Sequence, residues 1–157
     1  MLLNNIHKWV DTLIIPRLEL NNLPICPYAK QALNIYYLEK CSYEDIHDKI
    51  SKCDINKHKV CIFYFEEYHT YEISSLEQKT LELNTIFNSK DIIILDNEPR
   101  VPFYINNLKT TFDDCYLWLA QSLSDLNIKS FELNKKTNYY SFWTNQQLDE
   151  VVNWRNI

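Results

Sequence analysis

The chain has 157 residues and no glycine. Glycine is the residue that accepts positive φ and lets the backbone close on a phosphate. Its absence therefore excludes glycine-built anion cradles, the P-loop and the dinucleotide-binding fingerprint among them. Positions that must turn with positive φ fall to Asn or Asp, and the pairs Asn21-Asn22, Asp96-Asn97 and Asn106-Asn107 are the candidates. Ala, Arg and Pro are sparse as well, whereas Asn, Ile, Lys, Leu and Tyr abound. The missing residues are those with GC-rich codons, which points to an AT-rich genome such as that of some viruses or streamlined bacteria.

Long apolar runs are also lacking. The longest, such as VCIFYF at 60–65, falls far short of the roughly 20 residues of a membrane-spanning helix. The opening MLLNNIHKWV has no charged start followed by an apolar stretch, so it does not read as a secretion signal, and a cytoplasmic protein is expected. The formal net charge of -5 and the lack of a basic stripe argue against nucleic acid as a partner. Five cysteines, Cys26, Cys41, Cys53, Cys61 and Cys115, include no C-x-x-C pair. No metal and no cofactor are expected, and reduced thiols are the default.

What is present is enough for a packed core. Hydrophobic residues make up 46% of the chain and aromatic residues 14%, and the length suits one α/β domain over 1–157. Ile6, Trp9, Val10, Leu13 and Ile14 share a helical face, predicting an N-terminal helix over about 4–15 that Pro16 closes. Pro27 suits the first position of a short helix to about Leu33, with Cys26 at its cap. Strands are expected at Ile35–Glu39, Lys59–Phe65 and Asp91–Leu95. Between them, Ser42-x-x-Asp45 and Ser74-x-x-Glu77 read as helix-opening boxes.

Further on, FYINN at 103–107 predicts a hairpin arm turning at Asn106-Asn107. Thr111-x-x-Asp114 predicts a long helix with Phe112, Cys115, Tyr116, Leu119, Leu123 and Leu126 inward, followed by an edge strand around KSFEL. Thr144-x-x-Gln147 opens a terminal helix over about 145–156. Strands alternating with capped helices give a single α/β domain, a partly parallel sheet of three to five strands flanked by helices, with a thioredoxin-like arrangement as the alternative.

In such a sheet, residues following the strands and residues at helix starts gather along one edge, where ligands bind. That edge would collect Cys26, the segment Glu66 to His69 and the segment Asp96 to Arg100. A thiol at a helix start is favoured as thiolate, and Lys30 one turn on adds positive charge, so Cys26 and Lys30 are the candidate catalytic pair. Glu66, His69, Asp96, Arg100 and Pro102 are the candidate binding residues, the charged ones forming a carboxylate-rich pocket suited to a cation, an amine or acid–base chemistry. The aromatic run NYYSFW at 138–143 reads as packing, because stacking on nucleic-acid bases needs more basic neighbours than Lys135 and Lys136.

Two resemblances join this reading. Trp9 in an N-terminal helix followed by Cys26, Pro27, Tyr28, Ala29 and Lys30 resembles the Cys-Pro-Phe-Ala-Lys signature of a bacterial family called domain of unknown function 1415. That family lends no activity. The Cys26–Ala29 stretch is also similar to the glutaredoxin Cys-Pro-Tyr-Cys site, and Val101 to Asp114 is similar to its Val-Pro segment. The glutaredoxin likeness implies a cis Pro102 facing Cys26, with Asp113 and Asp114 near a thiol substrate. Ala29 stands in place of the second cysteine, leaving only a monothiol route. Three functions follow as expectations: a thiol-dependent enzyme, a noncatalytic domain binding a small molecule or protein, and a homo-oligomeric interaction protein.

Overall fold

The structure, a computed structural model, describes residues 1–26 and 36–156. In chain order the regular elements are α1 (Leu2–Ile14), β1 (Tyr37–Lys40), α2 (Ile46–Lys52), β2 (Val60–Phe65), α3 (Ile73–Phe87) and β3 (Ile92–Asn97). They continue with the short strands β4 (Tyr104–Ile105) and β5 (Leu108–Lys109), then β6 (Tyr116–Ser122), α4 (Leu123–Thr137) and α5 (Asn145–Val151). The chain divides into two compact units, one of Met1–Lys30, Pro102–Thr111 and Ser124–Ile157, the other of Gln31–Val101 and Phe112–Leu123.

The second unit holds a mixed four-stranded sheet in the order β1-β2-β6-β3. β1 runs parallel to β2, and β6 is antiparallel to both β2 and β3, so β1, β2 and β3 all point the same way. The fold is thus α/β with a partly parallel sheet. Register places Phe63 and Asp96 on either side of Trp118, whose side chain is fully buried. Phe65 stacks on Trp118 at 5.7 Å between ring centroids, and Tyr116 meets it edge-on at 4.7 Å. Against this sheet α3 turns Leu76, Leu83 and Phe87 inward. Its Asn84 pins the outer edge of β3, donating to Ile94 O and accepting from Ile94 N, both at 2.8 Å. A side-chain amide thereby satisfies backbone groups that an edge strand otherwise leaves open.

The first unit is built on α1, whose Ile6 and Val10 are buried. Trp9 Nε1 donates to Thr110 O at 2.9 Å. Leu20, Ile25 and Ile105 form a small core, with Leu13, Leu23, Phe103, Leu108 and Trp143 packed around it. Tyr139, only 1% exposed, donates its hydroxyl to the carbonyls of Pro24 and Ile25. Tyr139 and Tyr140 both pack on Trp143, so the aromatic run does serve packing. The β4–β5 hairpin turns at Asn106 and Asn107 with φ of 46° and 64°, the primed geometry that favours Asn and Gly. Asn21 and Asn22 also take positive φ as expected; Asp96 and Asn97 do not, because they lie in β3, and Asp91 and Asn138 turn the chain instead.

Several expectations are corrected. Residues 116–122 form strand β6, not the first half of a helix opened at Thr111, and the helix starts only at Leu123. Thr111 Oγ1 instead accepts from Phe103 N at 2.6 Å. A strand buried on both faces loses the alternation that would distinguish it from a helix. The KSFEL stretch lies inside α4 rather than on a sheet edge. α3 begins at Ile73 behind Glu72, so Ser74 is no cap. The last helix ends at Val151, and a 3-10 turn covers Asn153–Asn156. No peptide bond among the described residues is cis, so Pro102 is trans. Cys53 and Cys61 form a disulfide, which departs from the expectation of reduced thiols throughout. The helix expected from Pro27 to Leu33 lies outside the described residues, and Lys30 with it.

The boxes at Ser42 and Thr144 do form. Ser42 N donates to Asp45 Oδ1 at 2.7 Å and Asp45 N to Ser42 Oγ at 3.1 Å. Thr144 Oγ1 accepts from Gln147 N at 3.2 Å, while Gln147 Oε1 accepts from Thr144 N at 2.8 Å.

Candidate functional site

Because β1, β2 and β3 point the same way, the segments that follow them emerge along one edge of the sheet. After β1 the chain runs through Cys41 and the Ser42 box into α2. After β2 it forms a 3-10 stretch, Glu66–Thr70, before α3. After β3 it passes Glu98 and Arg100. An open cleft of about 470 Å³ lies at the ends of β1 and β2, lined by Lys40, Cys41, Ser42, Glu44, Asp45, Lys49, Phe65, Glu67, Thr70 and Tyr71.

Its walls are charged and cross-linked. Lys40 Nζ sits 2.9 Å from Glu66 and 3.5 Å from Glu67, and the Glu66 contact raises the lysine's pKa. Lys49 reaches Glu39 at 3.0 Å, Asp45 at 3.5 Å and the carbonyl of Lys40. Tyr71 donates to Glu44 at 2.8 Å and stacks on Tyr43 at 4.4 Å, with Lys79 lying over the Tyr43 ring. Both signs of charge therefore face the same opening, beside an aromatic wall.

The third segment is tied to the second by Arg100. Its guanidinium holds the Glu98 carboxylate through Nε and Nη2 at 2.8 and 2.9 Å, and Nη1 donates to Tyr71 O at 3.0 Å. The same group lies over the ring of Tyr68, 5.2 Å from its centroid. So the Glu66–His69 and Asp96–Arg100 segments do meet on one edge. His69 itself is exposed, its ring against Tyr68.

Asp96, the last residue but one of β3 and exposed at the surface, sits at the mouth of a buried hydroxyl network. Its Oδ2 accepts from Tyr116 at 2.6 Å and from Thr80 at 3.2 Å. Thr80 Oγ1 in turn accepts from Trp118 Nε1 at 3.0 Å. Desolvation raises the Asp96 pKa above the ordinary aspartate value, and the Tyr116 and Thr80 hydrogen bonds oppose that rise.

The thiols sort by environment. Burial pushes Cys115 up to about 12 and drives Cys41 well above the ordinary thiol range, so both are held protonated. Of the cysteines outside the disulfide, Cys26, in the first unit, is half-buried, whereas Cys41 and Cys115 are buried. Its N–H donates to Leu13 O at 3.3 Å. Cys26 and Pro102 belong to the first unit, whereas Glu66, His69, Asp96 and Arg100 belong to the second. Lys30 lies outside the described residues.

Sequence reasoning missed Lys40, Ser42, Lys49 and Tyr71. The signal was available: the strand expected at 35–39 runs directly into the Ser42 box, making that loop the first strand-to-helix crossing on the edge.

Fold and site together define a mixed α/β sheet protein with a polar cleft at the carboxyl ends of two parallel strands. No family model, curated protein or solved structure matches this chain.

Proposed function

We propose that this protein is a noncatalytic binding domain whose second unit takes a small polar or zwitterionic molecule in the cleft between the ends of β1 and β2. The observation that carries the proposal is the cleft's place, at the carboxyl edge of parallel strands, where α/β sheets receive ligands. Lys40 and Lys49 line the cleft together with Glu44, Asp45 and Glu67, which suits a ligand bearing both charges, and Tyr71 offers a flat apolar wall. The groups lining the cleft are already paired with one another, so a ligand exchanges existing hydrogen bonds for new ones, which keeps affinity modest. The test is a two-dimensional amide NMR titration of the full chain with free amino acids and short polyamines. Binding shifts the amides of Cys41, Ser42, Thr70 and Tyr71, and Tyr71→Ala removes the shifts. If none of these probes moves those amides, or Tyr71→Ala leaves the response intact, the cleft is not the site.

A second reading is supported by the partial exposure of Cys26. A thiol-dependent activity, whether monothiol redox exchange or nucleophilic attack, needs a cysteine outside the sealed core, and Cys26 is half-buried where Cys41 and Cys115 are buried. The likeness of Cys26–Ala29 to the glutaredoxin site adds to that reading at the level of sequence, although the cis Pro102 which that likeness implied is trans. Alkylation followed residue by residue as a function of pH tests it. Cys26 should react in the native protein with an inflection below about 8.5, the value of a free thiol. Reaction only after denaturation removes the reading.

A further inference from the structure

Helix α2 is tied to the sheet in two ways besides the burial of Ile46 and Ile50. One tie is covalent: Cys53, the residue after the helix, is bonded to Cys61 of β2. The other is ionic: Lys49 Nζ lies 3.0 Å from Glu39 of β1 and also donates to the carbonyl of Lys40. Tyr37 pairs with Cys61 and Glu39 with Phe63, so Cys61 and Glu39 stand on one face of the sheet. On α2, Ile46, Ile50 and Cys53 recur at i, i+4 and i+7, and Lys49 lies one turn before Cys53. Both ties therefore join the same side of α2 to the same face, one helical turn apart.

Lys49 is also a wall of the cleft. Past Ile50 the helix offers Ser51 and Lys52, both exposed, so the bridge at Cys53 anchors its last turn. With that turn held, Lys49 is placed before a ligand arrives. With it released, binding must order a flexible side chain, which weakens affinity about two- to tenfold.

We infer, on the reading that the cleft binds a small polar molecule, that the Cys53–Cys61 disulfide is a redox switch on that cleft. Closed, it presents Lys49 to the ligand; opened by a dithiol reductant, it frees the end of α2 and weakens binding. Cys53 is half-buried and Cys61 fully buried, so the attack falls on Cys53. One thiolate of the dithiol bonds to the Cys53 sulfur, and the electron pair of the broken S–S bond leaves on Cys61, which takes up a proton. The second thiol of the dithiol then displaces Cys53 and closes its own disulfide. The protein gains two thiols and two electrons, and the dithiol loses both.

The test compares the full chain before and after treatment with dithiothreitol, titrating each by amide NMR with free amino acids and short polyamines. Reduction should weaken binding about fivefold with far-ultraviolet circular dichroism unchanged. Cys53→Ala should bind as weakly as the reduced parent and ignore the reductant. Lys49→Met should cost the oxidised chain more affinity than the reduced one, because reduction has already freed Lys49. Equal binding by the oxidised and reduced chains overturns the switch and leaves the cleft standing. A loss on Lys49→Met that is the same in both states also overturns it, as does a bond that dithiothreitol leaves intact in the native chain. A reduced chain that loses its circular dichroism overturns it too, because the bridge then holds the fold rather than the cleft. Probes that bind neither form remove the cleft and the switch together.

Discussion

Asp96 faces two opposed influences. Crowding by neighbouring atoms favours its protonated form and raises its pKa, the hydroxyls of Tyr116 and Thr80 favour the carboxylate, and solvent access to this exposed residue keeps the effect on stability small. The folded protein consequently holds the proton to higher pH than the unfolded chain does, where an aspartate titrates near the ordinary value of 3.8. Between those two pKa values the native state binds more protons, so stability falls as pH rises through the window. Asp96→Asn keeps an oxygen that can accept from Tyr116 and does not titrate. Urea unfolding of both proteins from pH 4 to pH 8 should show the variant gaining on the parent as pH rises and levelling off above the native pKa. A constant difference would mean that Asp96 is solvated like any surface carboxylate.

At the level of elements, the disulfide joins the residue after α2 to the second residue of β2. Cys61 is fully buried with its backbone opposite Ala120 of β6, so the bridge anchors the helix to the interior of the sheet. With a sequence separation of 8 the closed loop is short, and the chain-entropy argument assigns such a crosslink about 2–3 kcal/mol. Cys53→Ser should lower the free energy of unfolding by that amount. A reducing agent should do the same to the parent and nothing to the variant. Urea midpoints with and without reductant measure both.

On the scale of the whole molecule, β6 sits between β2 and β3 although it comes last of the sheet strands in sequence. Until it is in place β2 and β3 have no partner in common, and the sheet cannot close. A chain ending at residue 115 should therefore show no cooperative urea transition by far-ultraviolet circular dichroism, whereas the full chain does. A cooperative transition in the shorter chain would show that β1, β2 and α3 fold without the central strand.

Much of this was open to reading from the residues. Local signals needed only their neighbours: the α1 face ending at Pro16, the boxes at Ser42 and Thr144, and the Asn106-Asn107 turn that a chain without glycine must build from asparagine. Strands β2 and β3 were visible as short apolar runs, and the meeting of the Glu66–His69 and Asp96–Arg100 segments followed from parallel direction alone. Tertiary structure alone decided the rest. Tyr116 to Ala120 is apolar on both faces, and only pairing with β2 and β3 makes it a strand rather than a helix. The disulfide depends on α2 bringing Cys53 back to Cys61, a geometry that cysteine spacing does not carry. Lys40, Lys49 and Tyr71 became one cleft because strand direction and register, set by contacts far apart in the chain, put their segments side by side.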